Sequence, residues 1–184
     1  MTSVMEKNLY SQLAVLLEYP KEDIKLKVTE CLDALSGDPT YPPEAAEELR
    51  LFLGELENTP LDDLQGVYSY TFELSSEFTL DLGAHLFEGF KRANKLASLK
   101  AIYRETGFPF DQIAKGELPD RLPVMLHFLG FAQNEDMKRD LRQTFVMVAL
   151  EKLQKNFEKS RGSMYKHLIN AIYRVLDKDV KEAK

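Results

Sequence analysis

The sequence predicts one all-α domain over residues 1–184, and three observations carry that prediction. Apolar residues recur at helical spacing along nearly the whole chain. Proline and glycine divide these stretches into segments of ordinary helix length. No fixed-period repeat, low-complexity tract or linker interrupts them, and a chain of 184 residues is long enough to bury one core.

Four helices are predicted before residue 74, each with apolar residues about one turn apart. Proline at Tyr19-Pro20 ends the first, and Ser-Gly-Asp-Pro at 36–39 ends the second. The third begins after Pro42-Pro43, and the fourth opens with Thr59 as its cap and Pro60 in the first helical position. Their inward residues are, in order, Leu9, Leu13, Leu16 and Leu17; Ile24, Val28, Leu32 and Leu35; Leu49, Leu53 and Leu56; and Leu61, Leu64, Tyr68 and Phe72.

The second half continues the helical pattern after one ambiguous stretch. Residues 74–92 are predicted as a turn and a short helix, because serine and threonine weaken helical periodicity there. Another helix then ends at Gly107, a short turn follows, and a buried helix comes after residue 123. A long helix after Asn134 and a last helix with Tyr165, Leu168 and Ile172 inward complete the chain, whose final seven residues are expected to fray.

Residues 117–129, Glu-Leu-Pro-Asp-Arg-Leu-Pro followed by an apolar run, are predicted to form a stiff knee before the buried helix. Pro123 has no N–H to donate to the carbonyl of Pro119, so that carbonyl is expected to stay free. Asp120 lies in this knee and has two interpretations. It is either a solvated helix cap or an acceptor for a partner's cation.

Cysteine usage and hydropathy indicate where the protein works. Cys31 stands alone, which excludes an intramolecular disulfide and a cysteine zinc site, and fits a reducing compartment. No apolar run approaches the roughly 20 residues that span a bilayer, and the first residues lack the pattern of a signal peptide. We therefore expect a cytoplasmic protein without direct membrane insertion.

Negative charge is concentrated in residues 44–90, which contain eleven acidic side chains and a single basic one, Arg50. This excess would repel phosphates and argues against nucleic acid, whereas it suits a basic partner. A solvated helix face is the alternative interpretation.

Motifs for catalysis and metal binding are missing from the sequence. There is no glycine-rich phosphate loop, no His-Glu-x-x-His and no Gly-x-Ser-x-Gly, and the histidines at 85, 127 and 167 are far apart. His85 with Glu88 makes too few ligands for a metal. His127 is expected to be a hydrogen-bonded core histidine, and Cys31 a small core residue. We expect no enzymatic activity, no metal and no cofactor.

Several segments together resemble a known family across residues 9–132, in order and spacing. They are Leu16-Leu-Glu-Tyr-Pro20, Pro60-Leu-Asp-Asp, Tyr68-Ser-Tyr-Thr-Phe-Glu-Leu74, Leu86-Phe-Glu88, and Glu117-Leu-Pro-Asp-Arg-Leu-Pro123 with Leu126 and Phe128-Leu129. This pattern is similar to the nitrate reductase delta-subunit family of NarJ-like maturation chaperones, related in fold to TorD-type chaperones. Arg121 stands where that family usually has histidine.

The resemblance implies a client-specific chaperone. Such a protein binds the N-terminal leader of the apo catalytic subunit of a molybdoenzyme, nitrate reductase or a relative, and assists molybdenum-cofactor insertion and complex assembly. Two alternatives remain open at this point. One is a general helix-binding adaptor without a molybdoenzyme client, and the other is an enzyme or metal carrier.

The leader of such a client is expected to be a short basic amphipathic helix bound in a groove. Tyr68 and Phe72 lie four residues apart on one face and would form an apolar floor, although core packing is their alternative role. Glu73 and Asp120 would meet the cations of the leader. The predicted client-binding set is Tyr68, Phe72, Glu73, Glu117, Asp120, Arg121 and Pro123.

Overall fold

The computed structural model describes residues 7–160 and 163–182, and most of these residues are helical. The α-helices are α1 (Leu9–Leu16), α2 (Ile24–Ser36), α3 (Pro43–Glu57), α4 (Leu61–Tyr68), α5 (Gly89–Glu105), α6 (Phe110–Ala114), α7 (Leu122–Phe131), α8 (Glu135–Leu141), α9 (Met147–Lys159) and α10 (Tyr165–Glu182). Within the described residues no strand forms, and β pairing is limited to an isolated antiparallel bridge between Asp81 and Arg121. The all-α prediction is confirmed.

The helices pack around one cluster of buried apolar side chains that extends from Leu13 to Leu176. Helix α1 packs between α2 and α7, while α3 packs between α2 and α10, and α10 also contacts α9. Over the described ranges, no helix combines the length and apolar character that crossing a membrane requires. The assignment of residues 1–184 to one domain stays a prediction.

Local sequence signals set several helix ends. Asn8 caps α1, since its side chain accepts from the Ser11 N–H while the Ser11 hydroxyl faces back to the Asn8 backbone. Pro43 occupies the first turn of α3. Thr59 was wrongly predicted to cap α4. Its hydroxyl instead donates to the Glu55 carbonyl at the end of α3, and α4 begins after Pro60 without a side-chain cap.

Two helices contain a π-helical turn that the periodicity did not reveal. Helix α4 continues into the π-helix Ser69–Glu73, and the π-helix Arg142–Val146 joins α8 to α9. Between α4 and α5 lie two short 3₁₀ turns, Ser76–Phe78 and Leu82–His85, in place of the single short helix expected there. Two predicted client-binding residues, Phe72 and Glu73, lie within the π-helix Ser69–Glu73, and the turn Leu82–His85 is bonded to Asp120 through the Leu82 N–H.

Four aromatic rings form the contact between α3, the α4 region and α10. Tyr165 lies 5.4 Å from Phe52, 5.8 Å from Tyr68 and 4.8 Å from Phe72, measured between ring centroids. Tyr68 and Phe72 are 5.1 Å apart in an edge-to-face arrangement. Edge-to-face ring pairs stabilise a fold beyond the effect of burying apolar surface. We call Phe52, Tyr68, Phe72 and Tyr165 the aromatic quartet, and it holds α10 against the rest of the protein.

The expectation that the chain end frays was wrong for residues 178–182, because α10 continues to Glu182. Asp179 accepts hydrogen bonds from the hydroxyls of Tyr10 and Tyr41, and Arg142 donates to Tyr10. Burial and the nearby Asp179 carboxylate raise the pKa of Tyr10 above its ordinary value, so the hydroxyl keeps its proton for this bond. Residues 183–184 of the predicted frayed end lie outside the described residues.

Candidate functional site

The knee is fixed from both sides by backbone pairing. The Leu122 N–H donates to the Leu80 carbonyl over 2.8 Å, and the Leu82 N–H donates to the Asp120 carbonyl over 3.0 Å. These bonds flank the bridge between Asp81 and Arg121 and hold the knee against the 3₁₀ turn Leu82–His85. Pro123 occupies the N-terminal turn of α7, as its missing N–H and fixed φ predict.

The carbonyl of Pro119 is not free, contrary to expectation. Although Pro123 cannot pair with it, the Tyr103 hydroxyl donates to it over 2.7 Å. Tyr103 comes from α5, so the partner is distant in sequence and invisible to local reasoning. Burial and the neighbouring Asp120 charge raise the pKa of Tyr103 well above its ordinary value, which keeps the donor protonated.

Asp120 lies inside the protein, with none of its surface exposed. Its Oδ2 accepts from the Gly83 N–H at 2.9 Å and lies 3.5 Å from Arg92 Nη2, while Oδ1 has no hydrogen-bond partner among the described residues. Burial, together with the charge of Asp81, raises the pKa of the Asp120 carboxyl, and Arg92 opposes that rise. The solvated cap is therefore wrong, because Asp120 is buried and the N-cap residue of α7 is Arg121, whereas a contact between Asp120 and a partner's cation stays a prediction.

Gly83 allows the carboxylate of Asp120 to come this close. A Cβ at position 83 would lie 2.5 Å from Asp120 Oδ2, and no positive φ requires glycine there. Space, and not backbone freedom, explains the glycine. The pair Gly83 and Asp120 thus locks the knee onto the 3₁₀ turn, and Arg92 extends the lock to α5.

Arg121 connects the knee to α1 and α4. Its Nη2 donates to the Tyr68 hydroxyl at 3.2 Å, and that hydroxyl donates to the Leu17 carbonyl at 2.8 Å. Nη1 lies 3.6 Å from Asp81 Oδ1, and Nε lies 3.8 Å from Glu117 Oε2. Burial raises the pKa of Tyr68, with Arg121 opposing the shift. Arginine thus supplies several donors from one side chain, which a histidine in this place could not do.

A cleft of about 260 Å³ lies beside the knee and contains five of the seven predicted residues. We call it the knee cleft. It is lined by Leu17, Glu18, Tyr19, Lys21, Tyr68, Glu73, Ile113, Ala114, Lys115, Glu117, Arg121, Pro123, Val124 and His127. Asp120 and Phe72 are absent from this lining. Phe72 is only 3% exposed and packs in the aromatic quartet, so its alternative role as a core residue is the one the structure supports.

The knee cleft presents charges of both signs and one accessible aromatic ring. Glu18 and Glu73 are exposed and form no ion pair within the described residues, and Lys21 and Lys115 stand on the same rim. Tyr19 is 46% exposed and meets the Tyr68 ring edge-on at 5.6 Å. This arrangement suits a peptide that brings an apolar side chain and charges of both signs.

His127 lines the knee cleft instead of being a hydrogen-bonded core residue. It is only partly buried, and its buried Nδ1 has no hydrogen-bond partner among the described residues, so the expectation for this histidine was wrong. Burial and the charge of Lys115 lower its pKa, which favours the neutral ring. Cys31, in contrast, is buried as expected.

Two further cleft residues, Glu18 and Tyr19, were missing from the predicted set. They lie within Leu16-Leu-Glu-Tyr-Pro20, a segment that carried the family resemblance, and this was the signal available in the sequence. His85 does not join Glu88 in a ligand pair, since its Nε2 is hydrogen-bonded to the Thr79 carbonyl. Across residues 7–160 and 163–182, no three His, Cys, Asp or Glu side chains are grouped closely enough to hold a metal.

Similarity to known proteins shows the family to which this chain belongs. The family model described as nitrate reductase delta subunit matches residues 38–170. Over 136 residues the chain is 29% identical to the nitrate reductase molybdenum cofactor assembly chaperone NarJ of Escherichia coli strain K12, and equally to NarJ of Escherichia coli O157:H7. These alignments cover 73% of this chain and 56% of each relative, so the chain spans little more than half the length of those proteins. The match over most of its length shows that this chain belongs to the nitrate reductase delta subunit family.

Proposed function

We propose that this protein is a client-specific assembly chaperone that works in the cytoplasm and has no catalytic activity of its own. Its client is the apo catalytic subunit of a molybdoenzyme, nitrate reductase or a relative, which it binds through the N-terminal leader. It holds that subunit ready for molybdenum-cofactor insertion and complex assembly. Membership in the delta subunit family and the role stated in the name of NarJ, a molybdenum cofactor assembly chaperone of nitrate reductase, support this proposal.

The knee cleft is the client site in this proposal. The observation that carries it is the convergence of Tyr68, Glu73, Glu117, Arg121 and Pro123 on one cleft from distant parts of the chain. The exposed Tyr19 ring offers an apolar anchor. Asp120 and Phe72 act indirectly, since Asp120 holds the knee and Phe72 supports the ring of Tyr68 from inside.

Cations of the leader would meet Glu18 and Glu73, the two rim carboxylates without an ion pair within the described residues. A calorimetric titration of the client's N-terminal peptide tests this contact. The double variant Glu18→Gln/Glu73→Gln should weaken binding about two- to thirtyfold, as loss of two exposed charge pairs of about 0.2–1 kcal/mol each implies. The control Glu44→Gln/Glu57→Gln removes the same charge from two exposed positions of α3 and should change affinity much less.

The role in assembly needs a separate measurement. Client activity and molybdenum content should fall in cells that carry the cleft variant and stay normal with the control. Equal affinities for both variants would reject the knee cleft as the leader site. The adaptor alternative predicts that native lysate yields many bound helical proteins and no molybdoenzyme.

A further inference from the structure

A second and larger depression follows the outer face of α4 and shares no lining residue with the knee cleft. Its volume is about 820 Å³, and it lies between α4 with its π-helix, the 3₁₀ turn Ser76–Phe78, and the end of α9. We call it the α4 groove, defined by Asp62, Asp63, Gly66, Val67, Tyr70 and Phe78. The leader proposal leaves this surface without a role.

The walls of the α4 groove are held in place by the protein itself. Asn156 of α9 donates from Nδ2 to the Glu77 carbonyl over 2.8 Å. The rings of Phe78 and Phe157 meet at 4.6 Å between centroids. These contacts fix the distance between the 3₁₀ turn and α9, so binding would not require ordering these two walls of the groove.

The groove offers an apolar floor with an exposed anchor. Val67 and Phe78 are partly buried, whereas Tyr70 is 74% exposed on the same face. A tyrosine in this state presents a large rigid surface that loses little entropy on binding. Tyr70 lies two residues from both Tyr68 and Phe72, which explains why one stripe of this helix faces the core and the other faces solvent.

The rim is acidic and its charge is not neutralised within the protein. Asp62, Asp63 and Glu77 form no ion pair within the described residues, and Lys159 is the cation among the groove residues. The two aspartates lie in the first turn of α4, where the helix dipole stabilises negative charge. Glu77 comes from a different segment and has no such local role. The rim therefore complements a cationic partner.

Gly66 leaves part of the groove without a side chain. It lies inside α4, where glycine costs about 0.5–1 kcal/mol relative to alanine. Its φ is not positive, and a Cβ built there would meet nothing within 4 Å. Neither the backbone nor internal packing therefore requires glycine. A missing side chain on the floor of a groove allows another backbone to approach α4 closely.

We propose that the α4 groove docks a cationic amphipathic helix of a partner protein, while the leader occupies the knee cleft. A helix fits better than an extended strand, because the part of the chain described here presents no sheet edge for strand pairing. Apolar side chains of the helix pack on Val67, Tyr70 and Phe78, and its cations face Asp62, Asp63 and Glu77. Gly66 admits the helix backbone between these two sets.

The test uses two glycine positions of the same kind. Gly66 and Gly54 both lie within helices and both have open space around a built Cβ, but only Gly66 lines the groove. The probe is a synthetic helical peptide with leucine and phenylalanine on one face and lysine on the other. Gly66→Gln should weaken its binding at least about tenfold, which is 1.4 kcal/mol, while Gly54→Gln leaves it unchanged. Both variants should unfold at or above the parent temperature.

Specificity is checked with the leader present. The probe should still bind when saturating leader peptide fills the knee cleft, and Tyr70→Ala should weaken the probe without affecting the leader. A probe that the leader displaces, or one that binds Gly66→Gln as tightly as Gly54→Gln, would overturn the second docking surface. Neither result would alter leader binding at the knee cleft, which the Glu18→Gln/Glu73→Gln variant reports separately.

Discussion

Replacing Gly83 with alanine tests whether the knee depends on the buried carboxylate of Asp120. The new Cβ would lie 2.5 Å from Oδ2 and 3.5 Å from Cγ of Asp120, and 3.6 Å from Cγ of Arg92. Oδ2 must move by about 0.9 Å to reach ordinary van der Waals contact. Because Asp120 has no exposed surface, the carboxylate cannot move into solvent and must leave the Gly83 N–H.

The expected loss follows from that hydrogen bond. A bond to a charged group contributes about 1.5–3 kcal/mol, and a displaced buried charge adds to the loss. We expect Gly83→Ala to lower the free energy of unfolding by about 2–4 kcal/mol, or the melting temperature by roughly 4–16 °C for a domain of this size. The control Gly54→Ala, where Cβ meets open space, should be neutral or stabilising.

A double-mutant cycle separates this mechanism from a general effect of the extra methyl group. Urea unfolding is measured for the parent, Gly83→Ala, Asp120→Ala and the double variant. With the carboxylate removed, the methyl group has no clash, so the double variant should be no less stable than Asp120→Ala. The coupling free energy should then be about 2 kcal/mol or more in magnitude. Additive losses would show that Gly83 is needed for another reason and would refute the lock.

Three other predictions follow from the same contacts. Phe72→Ala should lower the free energy of unfolding by about 3–5 kcal/mol, as for other buried phenylalanines, and a urea titration that finds no loss would return Phe72 to a peptide-contact role. Burial raises the pKa of the Asp120 carboxyl above its value in the unfolded chain, so ionisation of this carboxyl opposes folding. The free energy of unfolding of the parent, relative to that of Asp120→Asn, should therefore increase as pH falls from neutral towards about 4. A difference in urea unfolding that stays constant with pH would contradict the raised pKa. Calorimetric affinity for the leader should weaken as salt rises beyond about 0.15 M, where the screening length is about 8 Å, and affinity that is independent of salt would assign binding to apolar contacts alone.

Regular helices could be predicted from the sequence because their signals are local. For α3, all the signals lie within the helix itself: the proline at its start and the apolar stripe of Leu49, Leu53 and Leu56. The π-helices and the 3₁₀ turns could not be predicted in this way. Their geometry is supported by contacts with distant segments, such as Lys152 of α9, which donates to the His85 carbonyl.

The site shows the same division between local and distant information. The motif around Pro119 and Pro123 indicated the right region, but the burial of Asp120 depends on Gly83 and Arg92, which lie 37 and 28 residues away in sequence. Likewise, Tyr68 with Phe72 and Val67 with Tyr70 are two stripes of one helix. Contacts with distant segments decide which stripe the core covers, since Tyr165 packs on both Tyr68 and Phe72 and the Leu17 carbonyl accepts from the Tyr68 hydroxyl.

The aromatic quartet has a consequence for how the chain folds. Phe52 and Tyr165 are separated by more than a hundred residues, so bringing them together costs on the order of 4 kcal/mol of loop-closure entropy. Contacts of this sequence separation slow folding, because the entropy is lost before the contacts form. We expect the segment from α1 to α3 to collapse early and the docking of α10 to come late. Until then the face of α3 around Phe52 remains uncovered, and the chain in this state is exposed to aggregation.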